Sequence, residues 1–202
     1  MKPERFASKM LLSALLAAVI VAPHASHASV IGLGAFSGSA TVINFDTLSG
    51  SEAIGTGEPI TTQYAGQGVT FGNAAATANT LLGSSIPASS APNVAFVEQG
   101  SGQGSMPPLS LFFSVPVSRV GMDFGSSQGS FFTMAAYDSS DTLIETHDFV
   151  GSGAAIGLAG FAGLEETTPI ARVELSYHPN SNPSISFNFA IDNLRFDQIP
   201  AN

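Results

Sequence analysis

The sequence predicts an all-β protein, an antiparallel sandwich or barrel preceded by a cleavable signal peptide helix. Three observations lead there. Short runs rich in β-formers alternate with Gly/Ser/Pro/Asn clusters throughout the chain after residue 28. No stretch beyond that point keeps a long 3.6-residue apolar period with caps. The first 28 residues follow the three-part secretory pattern.

The leader comes first. Lys2, Arg5 and Lys9 form its positive end, Leu11 to Ala22 is an uncharged apolar run, and Ser26 and Ala28 supply small residues before a cut after Ala28. A dozen apolar residues are too few to cross about 30 Å of hydrocarbon as a helix, so a membrane anchor is disfavoured. Residues 29–202 then form a single domain, long enough to bury roughly 70% of its unfolded surface. No second apolar stretch of spanning length follows, and a secreted, extracellular or periplasmic product is expected.

The whole chain carries a net charge of −9. Losing Lys2, Arg5 and Lys9 together with Glu4 leaves the remainder more acidic by two, near −11, with only Arg119, Arg172 and Arg195 as basic side chains. Nucleic acid and anionic membrane surfaces both need cations to bind them, so neither is an expected partner. An acidic surface of this kind attracts divalent cations instead. The absence of cysteine removes disulfides, zinc–thiolate sites and thiol nucleophiles.

The expected strands are Thr41–Asp46, Ile60–Tyr64, Val69–Phe71, Val94–Val97, Leu109–Val115 and Ser118–Phe124. Phe131–Tyr137, Thr142–Phe149, Ile156–Phe161, Ala171–Tyr177 and Ser184–Phe196 complete the set. Val120, Met122 and Phe124 alternate with Arg119 and Asp123, and Ala171, Val173, Leu175 and Tyr177 alternate with Arg172, Glu174 and Ser176. Tyr137-Asp138-Ser139-Ser140-Asp141 reads as a hairpin turn, and Gly125 to Ser130 as a second hairpin link. Gly72–Asn93, Glu98–Pro108 and Pro179–Pro183 read as loops.

Both chain-end strands break their alternation at an aspartate. Phe187, Phe189 and Ile191 point inward, but Leu194 and Phe196 fall on the other parity, which requires an extra residue near Asp192-Asn193, a β-bulge. Ile43 and Phe45 likewise precede Asp46, and Leu48 resumes on the opposite parity. First and last strands often lie close in antiparallel sandwiches, and Asp46 and Asp192 are then expected to converge. Two such carboxylates repel, and a hard cation relieves the repulsion. Calcium suits oxygen ligands in loose geometry, with backbone carbonyls and Glu52 completing the shell. The alternative is that each aspartate simply bonds its own turn.

Several segments resemble secreted bacterial proteins of the PEP-CTERM-associated type. They are Ile43-Asn44-Phe45-Asp46, Ile60-Thr61-Thr62-Gln63-Tyr64, Gly68-Val69-Thr70-Phe71 and Arg119-Val120-Gly121-Met122-Asp123-Phe124-Gly125. Phe132-Thr133-Met134-Ala135-Ala136-Tyr137-Asp138, Ile170-Ala171-Arg172-Val173-Glu174-Leu175 and Phe189-Ala190-Ile191-Asp192-Asn193-Leu194-Arg195-Phe196 belong to the same pattern. The resemblance implies a jelly-roll sandwich similar to galactose-binding-like and carbohydrate-binding modules, with a structural calcium ion between the terminal strands at Asp46 and Asp192. The chain stops at Pro200-Ala201-Asn202, where anchored members begin a Pro-Glu-Pro sorting signal, so free secretion or periplasmic residence is expected.

Catalytic patterns are weak. Gly125-Ser126-Ser127-Gln128-Gly129 matches G-x-S-x-G, but that motif needs a helix after the serine and here a strand follows. His147 and Asp148 are neighbours in a strand and face opposite sides. His178 precedes Pro179 and reads as surface loop. Glu165-Glu166 reads as a solvated loop pair, since a glycosidase needs its carboxyls on separate elements. Gly151-Ser152-Gly153 has no basic residue or helix after it and is no phosphate cradle. There is no tryptophan, and Tyr64, Tyr137 and Tyr177 read as half-buried strand residues, so a stacking platform for sugar is lacking. Asn73, Asn79, Gln99, Gln103 and Asn180 remain as loop groups able to meet a sugar edge-on. Three functions follow: a non-catalytic interaction or matrix-associated module meeting extracellular polysaccharide or a cell-surface component, a carbohydrate-binding module, and an extracellular hydrolase.

Overall fold

A computed structural model of the chain describes residues 29–47, 59–78, 89–90, 93–97, 107–126, 131–150, 160–178 and 189–199. The leader, Leu48, Glu52, Ser127, Gly151 to Gly153, Asn79, Gln99, Gln103, Asn180 and Phe187 lie outside them. The strands are β1 (Ser29–Val30), β2 (Thr41–Ile43), β3 (Pro59–Ile60), β4 (Val69–Gly72), β5 (Ala74–Ala78) and β6 (Asn93–Val97). They continue with β7 (Leu109–Ser126), β8 (Phe131–Tyr137), β9 (Leu143–Val150), β10 (Gly160–His178) and β11 (Phe189–Gln198). Leu33–Ala35 and Ala65–Gln67 form short 3-10 turns. Every pairing among the described residues is antiparallel.

Two long strands organise the molecule. The first halves of β7 and the second halves of β10 lie side by side, flanked by β4 on one edge and by β8 and β9 on the other. Their remaining halves pair in a second layer, flanked by β1 on one edge and β11 on the other. Beyond β11 come both β2 and β6, then β5 and β3. Each long strand carries extra residues where it passes between layers: β7 between Phe112 and Val117, β10 between Glu165 and Ile170. Pro116 and Pro169 sit in those stretches. Proline has no N–H to give a ladder, so it marks a place where the ladder is already interrupted.

The layers face each other across one apolar core. Phe124 of β7 meets Phe132 of β8 at 4.8 Å, Phe113 meets Phe196 of β11 at 5.1 Å, and Phe45 meets Phe71 at 5.8 Å. Burial of each such ring stabilises by roughly 1.5–3 kcal/mol. The expected alternation holds: Val120, Met122 and Phe124 are buried, as are Val173 and Leu175. The arrangement is the antiparallel sandwich, its two layers joined into one continuous sheet.

Several local expectations are corrected. Leu109–Val115 and Ser118–Phe124 are one strand, β7. The Ile60–Tyr64 strand reduces to β3, and the chain then turns so that Tyr64 enters the core ahead of the 3-10 turn. The Gly72–Asn93 loop contains β5, whose alanines gave little β signal. Gly125 to Ser130 is not a hairpin link, because β10 lies between β7 and β8. The Tyr137–Asp141 hairpin is present. Asp138 accepts the Ser140 and Thr142 amides at 2.8 and 2.9 Å, and Asp141 takes a positive φ of 63°.

On the outer side of the second layer, Gly121 pairs with Gly163 beneath the edge-to-face rings of Phe36 and Phe161. A Cβ at Gly121 would lie 2.6 Å from Phe161 Cζ and 3.0 Å from the Ala162 carbonyl oxygen. The ring can move but the backbone oxygen cannot. Gly121→Ala is therefore expected to destabilise by about 2 kcal/mol in urea unfolding; wild-type stability would show that the rings are not seated there.

Candidate functional site: an aspartate junction between the terminal strands

The last strand has two different neighbours along one edge. Ala190 and Ile191 of β11 pair with β6, whereas Leu194 to Phe196 pair with β2. The change of partner falls at Asp192-Asn193. On the opposite edge Asp192 pairs with Asp123 and Arg195 with Gly121, so one extra residue sits there. This is the bulge that the parity slip requires, and Ile191, Leu194 and Phe196 all reach the same core. Asn193 absorbs the distortion with φ 45° and ties its side chain to Asp123 Oδ2 at 2.9 Å.

The end of β2 turns toward this gap. Phe45 is held at φ 59°, a conformation rare for a bulky residue, at a cost of about 1–3 kcal/mol. Its ring stays in the core while Asp46 swings toward the bulge. The turn is fixed by Asn93, whose Nδ2 donates to the Phe45 carbonyl at 3.2 Å and whose amide donates to Asp46 Oδ1 at 2.8 Å.

Asp192 is fully buried. Its carboxylate accepts the Ser90 amide at 2.7 Å, the Ser90 hydroxyl at 3.0 Å and the Asn193 amide at 2.6 Å. The Ser90 hydroxyl also reaches the Asn44 carbonyl at 3.3 Å. Burial pushes the Asp192 pKa up; the Ser90 and Asn193 bonds oppose this, and the charge of Asp46 adds to it. The structure thus brings Asp46 and Asp192 within electrostatic reach of each other. Ser90 holds Asp192 and Asn93 holds Asp46. Near Asp46 the Tyr64 hydroxyl is buried with no hydrogen-bond partner among the described residues, and burial followed by the Asp46 charge raises its pKa.

The donor set at the junction is oxygen throughout: two carboxylates, the Asn44 and Phe45 carbonyls, and the hydroxyls of Ser90 and Tyr64. That chemistry suits a hard cation such as calcium. Asp46 has the freer carboxylate, since a single amide bonds its Oδ1, while Asp192 already receives protein donors on both oxygens. No cluster of three or more acidic or histidine side chains able to hold a metal occurs among the described residues. A cation here would rely on two charges and on neutral oxygens.

Ser90 and Asn93 were not legible as parts of this site, because their role depends on β6 and β2 meeting on one edge of β11. Glu166 is a second omission and a correction. It is not a solvated loop residue but lies in β10, continuing the inward parity of Ala162 and Leu164, and is 4% exposed. Neither of its oxygens has a hydrogen-bond partner among the described residues. Burial, reinforced by Glu145, raises its pKa to about 7. Glu165 instead pairs with Arg119.

The remaining candidates take structural positions. His147 rests edge-on against Phe149, and Asp148 accepts the Thr133 hydroxyl at 2.6 Å on the other face. His178, at a strand end before Pro179, ends β10 and is half-buried rather than part of a surface loop, 3.0 Å from the same hydroxyl. Tyr64 lies fully in the core, whereas Tyr137 is half-buried with one ring face covered by Arg172 at 3.7 Å. The Asn73 side chain donates to the Pro108 carbonyl at 3.0 Å.

No family model matches the chain, and no curated protein matches it. Solved structures similar to it include the K2 cleaved adhesin domain of Lys-gingipain, at 14% identity over 79% of this chain and 100% of that one, with a TM-score of 0.48. A DUF4465 family protein from Bacteroides caccae is similar at 11% identity over 65% of this chain and 74% of that one, with a TM-score of 0.42. Among the described residues, no helix is long and apolar enough to cross a membrane.

Proposed function

We propose that the chain is a non-catalytic interaction module of the extracellular or periplasmic space, held together by a calcium ion at Asp46 and Asp192. Its partner is an extracellular polysaccharide or a cell-surface component. The observation that carries the calcium reading is that two buried aspartates feel each other's charge where β11 changes partner, near a Tyr64 hydroxyl with no hydrogen-bond partner among the described residues. A bound ion would neutralise the Asp46–Asp192 repulsion and join the ends of the domain. Support for a non-catalytic role comes from three of the catalytic-looking groups, which are engaged elsewhere: Glu165 with Arg119, Asp148 with Thr133, and His147 with Phe149. The leader pattern supports export, and the PEP-CTERM-like segments support an envelope or matrix context.

Thermal unfolding with calcium and with EDTA tests this. Calcium at about 100 times its Kd stabilises by about 2.7 kcal/mol, which raises Tm by roughly 5–10 °C for a chain of this size. The gain should vanish in Asp192→Ala and fade as acid protonates the ligands. Superimposable melting curves with and without chelator would remove calcium from the account.

A further inference from the structure

Away from the aspartate junction, the outer face of the second layer carries a polar groove of about 530 Å³, within the range of roughly 300–1,000 Å³ usual for small-ligand sites. Strand alternation builds it. Val120 and Phe196 point into the core, which sends Arg119 of β7 and Asp197 of β11 outward to form the floor. Ser37, Ser39 and Thr41 line the approach to β2, and Ser118, Gln198 and Ile199 complete the lining.

The floor is fixed before any ligand arrives. Arg119 donates from Nε and Nη2 to Glu165 Oε1 at 2.8 and 2.5 Å, and from Nη1 to Asp197 Oδ2 at 3.4 Å. Asp197 also accepts the Ser37 hydroxyl at 2.6 Å and the Ser37 amide at 3.2 Å, and that hydroxyl meets Ser39 at 3.1 Å. Burial alone would raise the Asp197 pKa, but the Ser37 and Arg119 bonds outweigh it and hold the group ionised below the ordinary carboxylate range. The groove thus offers a permanent acceptor, a fixed guanidinium and a row of hydroxyls that serve as both donors and acceptors.

We infer that this groove binds a neutral polyhydroxylated ligand, a sugar ring or the end of a glycan, by its hydroxyl edge. An anion would meet two carboxylates against one guanidinium already engaged with both. A cation would have to displace that guanidinium. An apolar molecule would cover hydroxyls and charges and leave them unpaired. Sugar hydroxyls, which donate and accept at once, match the lining. Edge-on contact also agrees with two of the three tyrosines, since Tyr64 is buried and Tyr137 has a ring face covered by Arg172. The inference rests on the binding-module reading and supplies its ligand class.

Native gel electrophoresis through matrices containing dextran, glucomannan or mixed-linkage β-glucan, with alginate as the anionic control, tests it. The wild-type protein should be retarded by at least one neutral polysaccharide and not by alginate. Arg119→Lys should weaken that retardation about tenfold, the scale of a lost hydrogen bond to a charged group, and Gln198→Ala about threefold, the scale of a neutral one. Ser39→Ala should weaken it by a smaller factor, and an unchanged circular dichroism spectrum and calcium response in each variant would exclude unfolding. Retardation equal in all variants would overturn the groove assignment while leaving a binding module in place. Absence of retardation by every neutral polysaccharide, with the calcium-dependent Tm shift intact, would overturn the groove and leave the junction standing.

Discussion

Glu166→Gln is expected to stabilise the protein by about 3 kcal/mol near pH 8 and by almost nothing near pH 4.5. The buried Glu166 carboxyl has no hydrogen-bond partner among the described residues and faces the charge of Glu145, and its pKa rises from 4.5 to about 7. The folded state therefore holds a proton that the unfolded chain has released over that interval. The contribution of Glu166 to stability is full below about pH 4.5 and is lost as pH rises through about 7. Each pKa step of one corresponds to about 1.4 kcal/mol, which sets the size of the loss. Glutamine keeps the shape and remains neutral at every pH. Urea unfolding of both proteins at the two pH values measures the difference directly. Equal stability of variant and wild type at both would show that Glu166 is not buried as described.

Asp192→Ala should cost about 2–3 kcal/mol even in chelator. The Ser90 amide and hydroxyl and the Asn193 amide all end on this carboxylate. Removing it strands those donors, at about 1–3 kcal/mol for each one left buried and unpaired. Relief of the raised Asp192 pKa and of its repulsion with Asp46 offsets part of this cost. Asp192→Asn keeps an acceptor oxygen and should lose less. Urea unfolding in EDTA separates the three proteins, and an alanine variant as stable as wild type would mean that Ser90 is not held by Asp192.

The sequence showed the junction more clearly than the strands around it. A change of parity in an otherwise alternating strand leaves few options, so the slip from Ile191 to Leu194 pointed to a bulge, and Asp138 between two β-rich runs pointed to a hairpin. The two long strands were hidden by their prolines. Pro116 and Pro169 fell in the gaps between expected strands, whereas they mark the passage from one layer to the other, where no ladder N–H is needed. Glu166 was obscured by the same stretch: beside Thr167, Thr168 and Pro169 it looks like loop, although the parity of Ala162 and Leu164 already pointed it inward. Nothing local in Ser90 or Asn93 marks them as partners of aspartates about fifty and a hundred residues away. Those contacts exist only because three chain segments meet on one edge of β11.

A double-mutant cycle on Asp46→Asn and Asp192→Asn, read by urea unfolding in EDTA, tests the proximity of those ends most directly. Residues that share an electrostatic field and a clasping segment depart from additivity by about 0.5 kcal/mol or more. Such a departure is the expected result. Additive effects within about 0.3 kcal/mol would contradict the account, because they would place the two aspartates in separate environments.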